Sequence, residues 1–81
     1  MNARPRIPSC IDTLLYDELE NVIEQARFSR EDADIASMYL LEAIPQIEIA
    51  VTLGVCDKTI RRRLPGIIQR LEQTASRMGY I

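Results

Sequence analysis

The chain has no histidine, no tryptophan, one phenylalanine, three glycines and two cysteines. Without histidine, the commonest general base of enzyme active sites is missing. No Gly-rich phosphate loop can be built from glycines this sparse and scattered. Cys10 and Cys56 lie too far apart for any metal-ligand spacing, and neither sits in a nucleophile signature. No run of about 18 apolar residues occurs, so no membrane span is expected. Residues 1–8 carry Arg4 and Arg6 but no apolar stretch of the signal-peptide kind. A cytoplasmic location with reduced thiols is the expectation. No enzyme, cofactor or metal is expected.

What is present points to helices. The chain has 81 residues, of which 47% are hydrophobic and only 5% aromatic, a balance that favours helix over sheet. A domain of this size buries about 60–65% of its unfolded surface, so its core is modest and a large enclosed cleft is not expected. The formal net charge of −2 hides an asymmetry. Residues 1–54 hold four basic and ten acidic side chains, whereas residues 55–81 hold six basic and two acidic. Lys58, Arg61, Arg62 and Arg63 supply most of the basic excess. Such a local patch can grip phosphates on an acidic protein, because salt screens the far field within about 8 Å. It could equally be a solvated helix face.

Along the chain, residues 1–8 contain Pro5 and Pro8 and no periodicity, and are expected to form a flexible arm. Residues 9–81 read as a single helical domain. Ser9 and Asp12 have capping-box spacing and predict a helix starting near Cys10. Its inner stripe would be Ile11, Leu14, Leu15, Leu19, Val22, Ile23 and Ala26, with Asp17, Glu18, Glu20 and Glu24 outside. Ser29 and Asp32 predict a second start, with Phe28 placed to staple the first turn and Glu31 and Asp32 complementing the dipole. That helix, carrying Ile35, Ala36, Met38, Tyr39, Leu40 and Leu41, should run to about Ala43. Pro45 then breaks it and can open the next.

Residues 46–64 read QIEIAVTLGVCDKTIRRRL. Ile49, Ala50 and Leu53 form the inner face of a short helix, and Gly54 offers a left-handed end. Val55 is apolar, so the turn is tucked in. Cys56 or Asp57 then caps a further helix with Ile60 and Leu64 inside. The pattern predicts a helix-turn-helix at 46–64, whose second helix enters the DNA major groove. Asp57, Lys58, Thr59, Arg61, Arg62 and Arg63 are the candidate DNA-binding residues. Lys58, Arg61 or Arg62 could donate to guanine, and Asp57 could accept from a cytosine amino group. Arg63, on the flank, suits backbone phosphate. Thr59 can touch phosphate or fill the helix turn. Cys56, at a helix N-terminus, reads as a small cap, with a redox switch as the alternative.

Residues 28–64 resemble region 4 of the sigma-70 family of RNA polymerase sigma factors. The resemblance rests on Gln46-Ile47-Glu48-Ile49-Ala50, Leu53-Gly54-Val55 and Thr59-Ile60 through Leu64, aligned without a gap. It implies an all-α fold, a small four- to five-helix bundle containing the helix-turn-helix. It also implies binding to promoter-like double-stranded DNA and docking on RNA polymerase. With no promoter-melting region in these residues, a stand-alone regulator is expected rather than a complete sigma factor, on a scale that suits a phage or mobile element. The family often has Arg-Glu where this chain has Asp57-Lys58, so the family's usual promoter hexamer is not the expected target.

Pro65-Gly66 is a further departure, because region 4 usually continues one helix there. A proline inside a helix costs about 3 kcal/mol. The recognition helix is therefore expected to end near Leu64, with a separate helix from about Pro65 to Met78. Its stripe of Ile67, Ile68, Leu71, Ala75 and Met78 could pack on the first helix or form a symmetric homodimer. A dimer would double a small DNA-reading surface and predict a palindromic site. Ile47 and Val51 lie on the side of their helix away from Ile49 and Ala50 and are candidates for a protein contact. Two rival readings remain open: a protein-interaction module of the same fold without DNA binding, and a small terminase-like packaging subunit.

Overall fold

The computed structural model describes Ile11 and residues 13–80. The expected arm at 1–8, the Ser9–Asp12 capping box and the start at Cys10 lie outside the described residues. Four α-helices follow in order: α1 Tyr16–Gln25, α2 Arg30–Ala36, α3 Gln46–Leu53 and α4 Asp57–Arg77. No strand occurs among the described residues, and the fold is all-α.

The first apolar stripe is split: Ile11 is helical, residues 13–15 break the helix, and α1 begins at Tyr16. Leu15 is extended, and its N–H donates to the Glu18 carboxylate at 2.9 Å. A leucine side chain cannot cap a helix, so Glu18 supplies the capping contact from within the first turn. The preceding turn, closed by Leu14 N–H donating to the Ile11 carbonyl, buries Ile11. It leaves Leu14 half-buried and Leu15 69% exposed. Leu15 therefore leaves the inner stripe, whereas Leu19, Val22, Ile23 and Ala26 are buried as their spacing implies.

Ser29 caps α2 as its sequence suggests, its hydroxyl accepting from the Asp32 N–H at 3.3 Å. The helix then widens into a π-helical turn over Ser37–Leu41, with Glu42 N–H reaching back five residues to the Ser37 carbonyl. Met38, Tyr39, Leu40 and Leu41 are four consecutive large apolar residues, which no 3.6-residue helix can turn inward together. The wider turn leaves all four half-buried against the core. The segment ends at Leu41 rather than Ala43, which has a left-handed φ of 54°. Pro45 is the extended N-cap of α3, its carbonyl accepting from Glu48 and Ile49.

The break expected at Pro65 does not occur. Helix α4 runs unbroken for 21 residues through Pro65 and Gly66. Ile60, Leu64, Ile67, Ile68, Leu71 and Ala75 form one buried stripe spanning both sides of the proline. Each large apolar side chain contributes about 1.5–3 kcal/mol on burial, so the stripe together outweighs the proline penalty. Pro65 itself is exposed. The carbonyl it leaves without a donor belongs to Arg61, on a solvated stretch of helix. Helix α4 packs against α1, α2 and α3 and is the axis of the bundle.

Candidate nucleic-acid interface

The candidate interface is built by the connection between α3 and α4. Ile49 and Ala50 are buried, and Leu53 half-buried, on the inner face of α3. Gly54 adopts φ 71°, ψ 32°. Its N–H donates to the Val51 carbonyl, and the Val55 N–H donates to the Ala50 carbonyl. This pair of bonds is a Schellman closure, which uses a left-handed residue to satisfy the last helical carbonyls. Val55 is half-buried beneath the turn, and Cys56 is the extended N-cap of α4.

On α4, Ile60 and Leu64 are fully buried. At about 100° per residue, Lys58 and Arg62 then lie on the opposite side of the helix. Both are exposed, and neither forms a salt bridge among the described residues. Asp57 and Arg61 occupy one flank, joined by a salt bridge of 2.9 Å between Asp57 Oδ2 and Arg61 Nη2. The other oxygen, Asp57 Oδ1, accepts weakly from the Cys56 thiol at 3.7 Å. Thr59 and Arg63 occupy the other flank, and Thr59 is half-buried in the first turn.

Arg63 is already paired within the chain. It lies 2.9 Å from Asp32 Oδ1 and 3.2 Å from Glu31 Oε1, at the start of α2. The hydrogen bond to Asp32, followed by the charges of Glu31 and Asp32, holds its guanidinium above the usual arginine range. A phosphate at Arg63 would compete with both carboxylates. All six candidate residues cluster on the first two turns of one helix, but they divide into unpaired, paired and structurally committed groups.

Arg70 was not distinguishable in the sequence from an ordinary solvated cation. Two turns after Arg63, it donates from Nε to the Ala26 carbonyl at 2.8 Å. Its guanidinium lies 5.7 Å from the centre of the Phe28 ring. Phe28 thus serves Arg70 as well as packing on the core. Only the tertiary approach of α4 to the α1–α2 connection creates this contact. Along one edge of α4, Arg63 and Arg70 hold that connection in place.

The stripe considered as a dimer seam is core. Ile67, Ile68 and Leu71 are buried within the chain, and Met78 is half-buried against the same cluster. Burial takes Ile67, Ile68 and Leu71 out of any interface and leaves Met78 only partly covered. Ile47 and Val51, by contrast, are 65% and 78% exposed on α3. Among the described residues no group of three or more His, Cys, Asp or Glu side chains is placed to hold a metal ion, and no helix is long and apolar enough to cross a membrane. Comparison of the chain with protein-family models, curated proteins and solved structures found no match.

Proposed function

We propose that the chain is a sequence-specific DNA-binding transcription regulator that inserts the first two turns of α4 into the major groove. One observation carries this reading. Lys58 and Arg62 are exposed, unpaired cations directly opposite the buried Ile60 and Leu64, on the helix that follows the Gly54 turn. The seven residues 57–63 span about 10 Å of helix, which suits a groove about 12 Å wide. Lys58 and Arg62 supply positive charge on the outward face, and the Asp57–Arg61 pair lies on its flank. The resemblance of residues 28–64 to sigma region 4 agrees with this role and with RNA polymerase as a working partner in a cytoplasmic setting. Polymerase would supply the extra contact surface that the buried α4 stripe cannot provide through a dimer.

The rival reading is a protein-interaction module without DNA binding. The exposure of Ile47 and Val51 favours it, because the first helix of a helix-turn-helix more often presents polar residues there. Selection from a random duplex pool, titrated in salt, separates the two. The DNA reading expects motif enrichment and an affinity that falls steeply as salt rises. Replacing Arg62 by Ala should flatten the plot of log affinity against log salt by roughly 0.9, the loss of one phosphate contact. Absence of enrichment and of any salt-dependent binding would eliminate the DNA reading in favour of its rival.

A further inference from the structure

We infer that Arg61 is the guanine-reading side chain of this interface and that Asp57 is the positioning residue that holds it ready. The inference rests on the DNA-binding reading and assigns separate tasks to its cations. Lys58 and Arg62 carry uncompensated charge, which suits a phosphate and carries no sequence information. Arg61 differs from both. Its Nη2 is 2.9 Å from Asp57 Oδ2, one helical turn earlier. The pair is close to neutral as a unit, so it gains little from a phosphate and brings a carboxylate that repels one. What the pair retains is an oriented set of donors. One Nη2–H is committed to Asp57. The second Nη2–H and the Nη1 hydrogens remain, and they form the two-pronged fork that matches O6 and N7 of guanine.

The exposures are consistent with this task. The side chains of Arg61 and Asp57 are 58% and 43% exposed, so the fork is accessible while its base is held. An exposed pair of this kind does little for folding stability. Its effect lies in removing rotamer freedom from a long side chain before binding, which is how preorganisation raises affinity. The same contact revises the role of Asp57. Its Oδ2 is occupied by Arg61 and its Oδ1 faces the Cys56 thiol at 3.7 Å. Asp57 therefore orients a donor rather than reading cytosine itself.

The test uses Asp57→Asn and Arg61→Lys in the full chain, with circular dichroism to verify folding. Dissociation constants are measured for the selected duplex, for duplexes substituted at each base pair, and for a scrambled duplex. Asp57→Asn removes a negative charge near the phosphates, so binding to scrambled DNA should tighten. Discrimination should nevertheless fall about tenfold or more, concentrated at one G·C pair, as one bidentate contact is loosened. Arg61→Lys keeps the charge but loses the planar fork, and should weaken the preference at that same pair with the salt slope unchanged. Equal tightening on selected and scrambled DNA by Asp57→Asn would overturn the inference while leaving DNA binding intact. So would a preference for guanine that is undiminished in Arg61→Lys. A wild-type chain that binds no duplex overturns the DNA reading itself, and this inference with it.

Discussion

Arg62 and Arg63 are adjacent in sequence, yet about 100° of helical rotation gives them different surroundings. Arg62 faces solvent, and Arg63 faces the carboxylates of Glu31 and Asp32. Because the folded state raises the Arg63 pKa, the arginine's share of the pair is fully present below the ordinary arginine range and is lost as pH rises through the raised value. The arginine therefore adds no pH dependence near neutrality. Arg63→Ala should weaken folding slightly, and the effect should shrink in high salt, because the pair is exposed. Arg70 is a stronger clamp: its hydrogen bond caps a carbonyl at the C-terminal end of α1, where a cation is favoured, and its guanidinium lies over Phe28. Arg70→Ala is expected to cost about 1–2 kcal/mol, read from urea unfolding, with less salt sensitivity than Arg63→Ala. An Arg70→Ala protein with unchanged stability would show that the clamp is idle.

At the scale of elements, α4 joins two stretches that local rules would separate. Proline removes a hydrogen bond and glycine adds chain entropy, yet the buried stripe holds one helix through both. Local propensity and tertiary packing conflict here, and the conflict can be measured. Pro65→Ala restores a donor to the Arg61 carbonyl and should stabilise the fold by about 1–3 kcal/mol. A thermal midpoint raised by roughly 4–8 °C per kcal/mol would register it. Gly66 and Gly54 make an internal control. A Cβ at either position meets no atom within 4 Å, but only Gly54 has a positive φ. Gly66→Ala should stabilise by about 0.5–1 kcal/mol, whereas Gly54→Ala should destabilise by about 1–2 kcal/mol. Opposite signs from the same chemical change would tie the difference to backbone conformation rather than space.

These elements also show what could be read from sequence. Ser29, Pro45 and Gly54 act on bonds within a few residues, so their caps and turns were legible. The inner residues Ile49, Ile60 and Leu64 were legible because helical period alone assigns their side. The continuity of α4 was not, since it depends on the partners of Ile67 and Leu71 across the bundle. The π-helical turn was not, because it resolves a crowding of Met38 to Leu41 that a fixed period cannot represent. At the interface, the set of outward residues on α4 was legible from period. Which cation is free was not, because Arg63 meets α2 residues some thirty positions earlier.

For the whole molecule, the distribution of apolar surface bears on whether the chain works alone. Domains are stable by about 0.05–0.15 kcal/mol per residue, so 81 residues have little to spare. The α4 stripe is already used for that stability. Leu71 is fully buried within a cluster that also contains Val22, Ile35 and Ile60. Leu71→Ala should cost about 2–5 kcal/mol through lost burial and the cavity left behind, and should loosen every helix together. Ile47 and Val51 lie outside that cluster, so replacing both by Ser should change stability by less than about 0.5 kcal/mol. The same division predicts a monomer. With its most continuous apolar stripe turned inward, the chain should sediment as a single species across micromolar concentrations. A concentration-dependent dimer that Ile47→Ser with Val51→Ser abolishes would instead move the association surface to α3. A dimer that persists in that variant would require contacts through Leu15 and Tyr16, the other large apolar pair exposed among the described residues.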